Sequence, residues 1–169
     1  MILLIFLILV LIALLFLLYK SITIIKETEV YIIERLGKFY KTADSGITVV
    51  IPFIDKIRCI VSLKEQTLSV SVQNVVTQDN TRINVDAIIF YQIIDPAKAV
   101  YEIQSLKNGI EYSAVTAVYD TIAKVNFDSI IASRDLINNH LFKELNNITY
   151  KWGTKINTVK LQNINKLSK

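Results

Sequence analysis

One segment constrains this chain more than any other: residues 1–19 form an unbroken apolar run, MILLIFLILVLIALLFLLY, closed by Lys20. As an α-helix, the run would be roughly 28 Å long, close to the hydrocarbon thickness of a bilayer, about 30 Å. No charge opposes insertion, and each Leu, Ile, Phe or Val favours it by about 0.3–0.6 kcal/mol near the helix centre. Residues 1–20 are therefore predicted to be a transmembrane anchor.

The predicted anchor ends in residues that suit a membrane surface. An aromatic ring such as Tyr19 is typical of the interfacial belt, and the lysine that follows can snorkel towards water. The anchor residues that we single out are Leu3, Leu4, Phe6, Leu11, Leu14, Phe16, Tyr19 and Lys20.

A cleaved signal peptide is the alternative interpretation of this run. Such a peptide has a basic n-region, an apolar core of about 7–15 residues and a small-residue cleavage site. The run has none of these features, so an uncleaved anchor is favoured. Because Lys20, Lys26, Arg35 and Lys38 follow the run, the positive-inside rule places the rest of the chain on the cytoplasmic face.

The remaining length suits one domain of about 150 residues. The formal charge of +4 is uneven, because residues 146–169 carry five lysines and no acidic residue. These lysines are spread out, with no interleaved aromatic residue beyond Trp152. A solvated strand edge and a frayed tail are therefore favoured over a nucleic-acid surface, and no nucleic-acid partner is predicted.

Residues 26–94 alternate between apolar and polar side chains, which is typical of half-buried antiparallel strands. The clearest runs are residues 66–72 and 82–93, separated by a predicted turn at Gln78-Asp79-Asn80. Shorter strands are predicted at residues 30–36, 47–51 and 57–63, and together the strands predict a β-meander. For residues 47–53, burial in the core is favoured over contact with lipid headgroups.

At Asp95 the pattern changes to helices. Asp95 suits an N-cap and Pro96 the first helical position. Asn108-Gly109 is expected to interrupt before a second amphipathic helix over residues 110–125. A third helix is predicted from about Ser133, with Gly153 as its C-cap. Residues 155–164 return to a strand pattern, so the fold class is α+β.

The sequence contains no pattern that indicates catalysis. It has no glycine-rich phosphate loop and no dinucleotide fingerprint. With Cys59 as the only cysteine and His140 as the only histidine, neither a disulfide nor a His-rich or Cys-based metal site is predicted. His140 falls at a polar helical position and is expected to be solvated. No catalytic, cofactor-binding or metal residue is predicted, and an unrecognised hydrolase is the least favoured alternative.

Several segments, read in order, resemble the stomatin/prohibitin (band 7, SPFH) superfamily, particularly its bacterial slipin/QmcA-like branch. The segments are VYIIERLGK at 30–38, IPFID at 51–55, VTQDN at 76–80, and YQIIDP at 91–96, followed by a helical RD…N element and a WG pair. Their order across about 140 residues carries the resemblance. The family-motif positions are Gly46, Pro52, Phe53, Asp55, Asp79, Asp95, Pro96, Arg134, Trp152 and Gly153.

The resemblance implies an SPFH domain over residues 26–165, with a β-rich part at 26–94, a helical part at 95–153, a final strand at 155–164 and a frayed tail at 166–169. It implies a membrane-anchored homo-oligomeric scaffold, not an enzyme, that organises membrane proteins and lipid microdomains in membrane protein quality control. The implied partners are the lipid bilayer, a membrane protease and an NfeD-like membrane protein, with no cofactor.

The chain departs from the family pattern in three places. Tyr119 stands where an arginine is usual, Ala123 where a glycine is usual, and Ser71-Val72 where prolines are usual. The chain is also expected to lack the family's C-terminal coiled coil, and we expect weaker assembly for that reason. Two alternatives follow: a non-assembling regulatory subunit of a membrane protease, or a truncated, partly decayed family member.

Overall fold

The computed structural model describes residues 2–167, apart from the side chains of residues 2, 3, 10, 13, 14, 17 and 18. The chain divides into two compact units, residues 1–63 and residues 64–169. This boundary lies inside the segment 26–94 that the sequence predicted as one β-rich part. In the described residues, the first unit contains one helix and five strands, and the second contains a three-stranded sheet with its helices.

The first unit begins with helix α1 (Ile2–Ser21). The anchor residues Leu4, Phe6, Leu11, Phe16, Tyr19 and Lys20 are exposed along it, whereas the side chains of Leu3 and Leu14 lie outside the described residues. Crossing a bilayer takes about 20 consecutive apolar residues. In the part of the chain that is described, no helix has the length and apolarity for this, so the predicted transmembrane span is not confirmed.

Five strands follow α1 and form two separate antiparallel sheets. They are β1 (Ile22–Ile25), β2 (Glu29–Arg35), β3 (Lys38–Ala43), β4 (Gly46–Val49) and β5 (Asp55–Ser62). The order β3-β2-β5 makes one sheet, and β1 pairs with β4 in another. The predicted single meander is therefore wrong, because β4 leaves the path of the chain to pair with β1 and β5 returns to β2. A small core of Ile25, Ile33 and Ala43 supports this unit.

The second unit is built on strands β6 (Gln66–Val76), β7 (Arg82–Ile93) and β8 (Thr154–Lys166), in the antiparallel order β6-β7-β8. The predicted alternation on β7 is confirmed, since every second residue is buried there. The buried residues of β7 are Ile83, Val85, Ala87, Ile89, Tyr91 and Ile93.

Within residues 64–167, four helices accompany the sheet: α2 (Pro96–Tyr101), α3 (Leu106–Ile122), α4 (Phe127–Ala132) and α5 (Arg134–Thr149). A 3-10 turn, Tyr150–Trp152, extends α5. Apolar residues of α3 and α5 join those of the sheet in one core. The α+β class is therefore confirmed. Helix α4 was not predicted, because six residues are too few to show a helical period.

The sequence predicts that Asn108-Gly109 interrupts the helical pattern. This prediction is wrong, because Gly109 lies inside α3. A Cβ atom at this position would collide with Ile103 Cδ1 and lie 3.3 Å from ring carbons of Trp152. The glycine therefore permits close packing, which a single-sequence pattern cannot distinguish from a helix break.

The last strand is longer than the predicted 155–164. Ile83 pairs with Lys166, and Leu167 N donates to the carbonyl oxygen of Arg82 at 2.9 Å. Lys166 therefore belongs to β8 rather than to the predicted tail, because β7 offers main-chain partners along this whole length. Residues 168 and 169 of the predicted tail lie outside the described residues.

Replacing Gly153 by alanine is expected to destabilise the second unit by about 2–4 kcal/mol, through left-handed strain and a steric clash. Gly153 has a φ of 64°, and a Cβ would overlap the Asp95 carbonyl oxygen. Urea unfolding followed by the fluorescence of Trp152 measures the loss. Gly109→Ala is the control, since Gly109 has no positive φ and its nearest atoms are side-chain carbons. An equal or smaller loss in Gly153→Ala than in this control would contradict the prediction.

Candidate functional site

The β1–β4 ladder carries apolar side chains on an exposed face. Ile22 pairs with Val49 and Ile24 with Ile47, so the four side chains lie on one face of the ladder. Ile24 is 75% exposed and Ile47 is 77% exposed. A solvated ladder ordinarily presents polar residues on such a face. We call Ile22, Ile24, Ile47 and Val49 the apolar face.

Burial of residues 47–53 in a core was expected, but it holds only for Val50, which packs against the small core of the first unit, whereas Ile47, Val49 and Phe53 are exposed. Because β4 pairs with β1 instead of joining the three-stranded sheet, Ile47 and Val49 remain exposed. An exposed cluster of large apolar residues marks a surface that contacts a partner or a membrane.

The chain that leaves β4 forms an exposed turn at Pro52-Phe53. Phe53 has a φ of 71° and is 94% exposed. A left-handed conformation is rare for a bulky residue and costs about 1–3 kcal/mol unless its surroundings enforce it. The turn closes through Asp55 N, which donates to the carbonyl oxygen of Ile51 at 2.9 Å.

An ion pair between Arg35 and Asp55 holds this turn. Arg35 Nε donates to Asp55 Oδ1 at 2.7 Å, and Nη2 donates to Oδ2 at 3.1 Å. Ile51 N also donates to Asp55 Oδ2 at 3.0 Å. The Asp55 side chain is 1% exposed, and the Arg35 guanidinium lies 3.7 Å from the Tyr40 ring centroid. The hydrogen bonds from Arg35, and then that from Ile51, hold the pKa of Asp55 below its usual range.

A second exposed apolar turn lies beside the first. Leu36 (φ 50°) and Gly37 (φ 81°) connect β2 to β3, and Leu36 is 81% exposed. Leu36 N donates to the carbonyl oxygen of Ile54 at 3.1 Å, which places the two turns next to each other. We call Leu36-Gly37 and Pro52-Phe53 the turn pair.

Asp79 performs a structural role at the β6–β7 turn. Its carboxylate accepts hydrogen bonds from the Thr77 hydroxyl, from Thr81 Oγ1 at 3.2 Å and from Phe127 N at 3.3 Å. These bonds, of which that from Thr77 is the strongest influence, lower the pKa of Asp79. Asp79 thus ties the predicted turn to the first residue of α4.

Asp95, Pro96 and Gly153 meet at one corner of the second unit. Asp95 Oδ1 accepts from Lys98 N at 3.1 Å and caps α2, whose first residue is Pro96, as predicted. Ile94 N and Asp95 N both donate to the carbonyl oxygen of Gly153 at 2.9 Å. Gly153 is the left-handed cap of the 3-10 turn that continues α5. This corner fixes where the helical segment leaves and rejoins the sheet.

Arg134 joins α5 to β8. One of its guanidinium nitrogens donates to the carbonyl oxygens of Leu161 and Gln162. Asn138 Oδ1 accepts from Leu161 N, and Asn146 Oδ1 accepts from Ile156 N, both at 3.0 Å. These bonds lie where the register of β8 shifts against β7, so polar side chains satisfy main-chain groups beside the bulges.

The structure therefore divides the predicted positions into two groups. Asp79, Asp95, Pro96, Arg134, Trp152 and Gly153 lie in the second unit and support its packing, whereas Gly46, Pro52, Phe53 and Asp55 lie beside the exposed apolar residues of the first unit. The sequence analysis did not identify Ile22, Ile24 and Leu36 as exposed apolar residues. The available signal was a leucine, rather than Asn or Asp, directly before a turn glycine at 36–37.

His140 is exposed on α5, as predicted, with Nε2 3.8 Å from Glu144 Oε2. Within residues 2–167, no cluster of three or more His, Cys, Asp or Glu side chains is placed to hold a metal ion.

Comparisons with known proteins match most of the chain. A family model described as "SPFH domain / Band 7 family" matches residues 23–166. An uncharacterized protein of Methanothermobacter thermautotrophicus is 40% identical over 151 residues, covering 89% of this chain and 47% of that protein. An uncharacterized protein of Mycobacterium tuberculosis is 34% identical, with coverages of 86% and 38%. "Stomatin-like protein 2, mitochondrial" of Rattus norvegicus is 29% identical, with coverages of 78% and 37%. The chain thus spans less than half the length of these relatives.

Replacing Asp55 by asparagine is expected to loosen the turn pair. The pKa of Asp55 is lowered in the folded chain, so the ionised carboxylate stabilises the fold. This stabilisation is complete above the ordinary aspartate pKa of about 4 and is lost as the pH falls through the depressed folded value. The hydrogen-exchange protection factor of the Ile51 amide should fall several-fold in Asp55→Asn at pH 7.

The same measurement at acidic pH tests whether it is the ionised form of Asp55 that stabilises the turn. Protection of the Ile51 amide should fall with pH in the natural chain and change less in Asp55→Asn. Asp44→Asn is the control, since Asp44 is an exposed carboxylate in the same unit. Unchanged protection in Asp55→Asn would exclude the ion pair as the support of the turn.

Proposed function

Because the chain belongs to the SPFH domain / Band 7 family, we propose that it is a membrane-anchored scaffold that acts by lateral association rather than by catalysis. Helix α1 and the apolar face hold the first unit at a bilayer. The second unit then stands on the cytoplasmic side and contacts neighbouring copies and client proteins. The observation that carries this proposal is the apolar face directly after an apolar helix.

The position of the apolar face favours a bilayer as its partner. Ile22 is the first residue after α1, and Val50 N donates to the carbonyl oxygen of Ser21, the last residue of α1, at 2.8 Å. The face therefore begins where the helix ends. Fully burying one such side chain contributes about 1.5–3 kcal/mol, so partial burial of four would contribute several kcal/mol to binding.

Lateral association is supported by the family and by the physics of confinement. A protein restricted to a bilayer has a raised effective concentration, so weak contacts between copies are enough for assembly. In this proposal the homo-oligomer organises membrane proteins and lipid microdomains, in membrane protein quality control. A membrane protease and an NfeD-like membrane protein are the proposed partners.

Membrane binding can be tested with the full chain and vesicles of phosphatidylcholine in a flotation assay. At limiting lipid, Ile24→Ser/Ile47→Ser should lower the bound fraction several-fold, because both side chains would leave water on binding. Leu136→Ser is the matched control, since Leu136 is 71% exposed but lies in the second unit. Equal flotation of the double variant and the natural chain would remove the apolar face from the proposal, and failure of the natural chain to float would overturn membrane anchoring.

Cross-linking in native membranes tests lateral association. A scaffold is expected to give a series of cross-linked homo-oligomers. It is also expected to give large particles after detergent extraction. Small complexes of fixed stoichiometry with another protein would instead support a non-assembling regulatory subunit of a membrane protease. A purely monomeric chain would overturn the scaffold mechanism.

A further inference from the structure

We propose that the turn pair inserts into the interface of an anionic bilayer, with Leu36 and Phe53 entering the headgroup region and Lys38 and Lys56 contacting lipid phosphates. This inference rests on the proposed membrane association and names the lipid chemistry that the first unit selects. It concerns residues distinct from the apolar face.

Both turns place a large apolar residue in a left-handed backbone conformation, which is unfavourable for such residues. The first central position of a two-residue hairpin turn with positive φ favours Asn, Asp or Gly, yet Leu36 occupies it at a φ of 50°. Phe53 is an aromatic residue at a φ of 71°. Neither side chain recovers this cost by burial, since they are 81% and 94% exposed. Leu36 and Phe53 are unfavourable both for the left-handed backbone and for contact with water. Such residues indicate that a contact outside the folded chain requires them.

The turn pair has a stiff support. Arg35, directly before Leu36, makes its two hydrogen bonds to Asp55, which follows Phe53 by two residues. The main-chain bond from Leu36 N to the carbonyl oxygen of Ile54 joins the turns themselves. A turn whose backbone is already held loses little backbone entropy on binding, so these two supported turns favour insertion of their apolar tips.

The charges around the turn pair favour an anionic surface. Lys38 and Lys56 are exposed and lie one residue from Gly37 and from Asp55, respectively. In the described part of the chain, neither lysine has a carboxylate oxygen within 4.0 Å, whereas Asp55 is paired with Arg35, and Glu34 lies 3.7 Å from Arg58. Both acids thus have a cationic partner within 4.0 Å. Glu34 also stands opposite Lys56 on the β2–β5 ladder, but the exposed ammonium groups of Lys38 and Lys56 can still contact phosphate oxygens. One lysine near an anionic membrane raises affinity about fivefold.

The connection to α1 places the turn pair within reach of the bilayer. Val49 pairs with Ile22, the residue after the helix, and Phe53 follows Val49 by four residues. Four residues span at most roughly 14 Å. If α1 is embedded, Phe53 therefore lies near the bilayer surface, at the depth where aromatic side chains are favoured.

The experiment places an environment-sensitive NBD label at the tips of the full chain. In a Cys59→Ser background, Leu36→Cys and Phe53→Cys are labelled separately and bound to vesicles of phosphatidylcholine, alone or with 30 mol% phosphatidylserine. A blue-shifted emission and quenching by spin-labelled lipid are expected at both positions, more strongly with phosphatidylserine. Labelled Leu136→Cys is the control and should remain water-like, because Leu136 is 71% exposed but belongs to neither the turn pair nor the apolar face.

Two further variants separate the contributions. Lys38→Gln/Lys56→Gln should abolish the difference between neutral and anionic vesicles. Phe53→Ser should reduce the shift of a label at position 36, and circular dichroism should show that it folds, since Phe53 is not part of a core. Water-like labels at both tips of a chain that still floats would overturn this inference alone, and equal insertion into both vesicle types would overturn the anionic preference. A chain that does not float would overturn the proposed membrane function itself.

Discussion

The fold depends on one constraint: every main-chain group that a strand or helix leaves unpaired at a junction must find another partner. Polar side chains supply it. In the first unit, Asp55 accepts from the main chain of Ile51 and thereby closes a turn. In the second unit, Asp79 accepts from the start of α4, and Asn138 and Asn146 accept from β8 beside its bulges. A missing partner leaves a buried polar group at a cost of about 1–3 kcal/mol.

This constraint explains why most of the family-motif positions have a structural role. Arg134 and Asp95 direct their polar atoms to the main chain, and Gly153 provides a conformation and a space that other residues lack. The exposed apolar residues of the first unit, such as Ile24, Ile47 and Phe53, have no such structural role and are candidates for contact with partners. They form a surface without reaction chemistry, which fits a protein that works by position and association.

The functional proposals therefore rest on the first unit, where a small core supports exposed apolar side chains. Ile24 and Ile47 stand opposite each other on a short ladder, and Leu36 and Phe53 stand on neighbouring turns. Such an arrangement is costly for a chain surrounded by water and favourable at a bilayer interface. The second unit has a larger core and a helix-covered sheet, and in the proposal it carries the contacts with neighbouring copies.

The sequence by itself determined the α+β class, the alternation on β7, the Asp79 turn, the Asp95 cap and the exposed His140, because each follows from local periodicity or from bonds between near neighbours. Tertiary structure decided that β4 pairs with β1, that Gly109 lies inside a helix and that Ile47 and Phe53 are exposed. These outcomes depend on residues far apart in the chain, since an apolar strand has the same sequence pattern whether its side chains are buried or exposed. Pairing between distant segments, rather than composition, fixed which apolar residues face outwards.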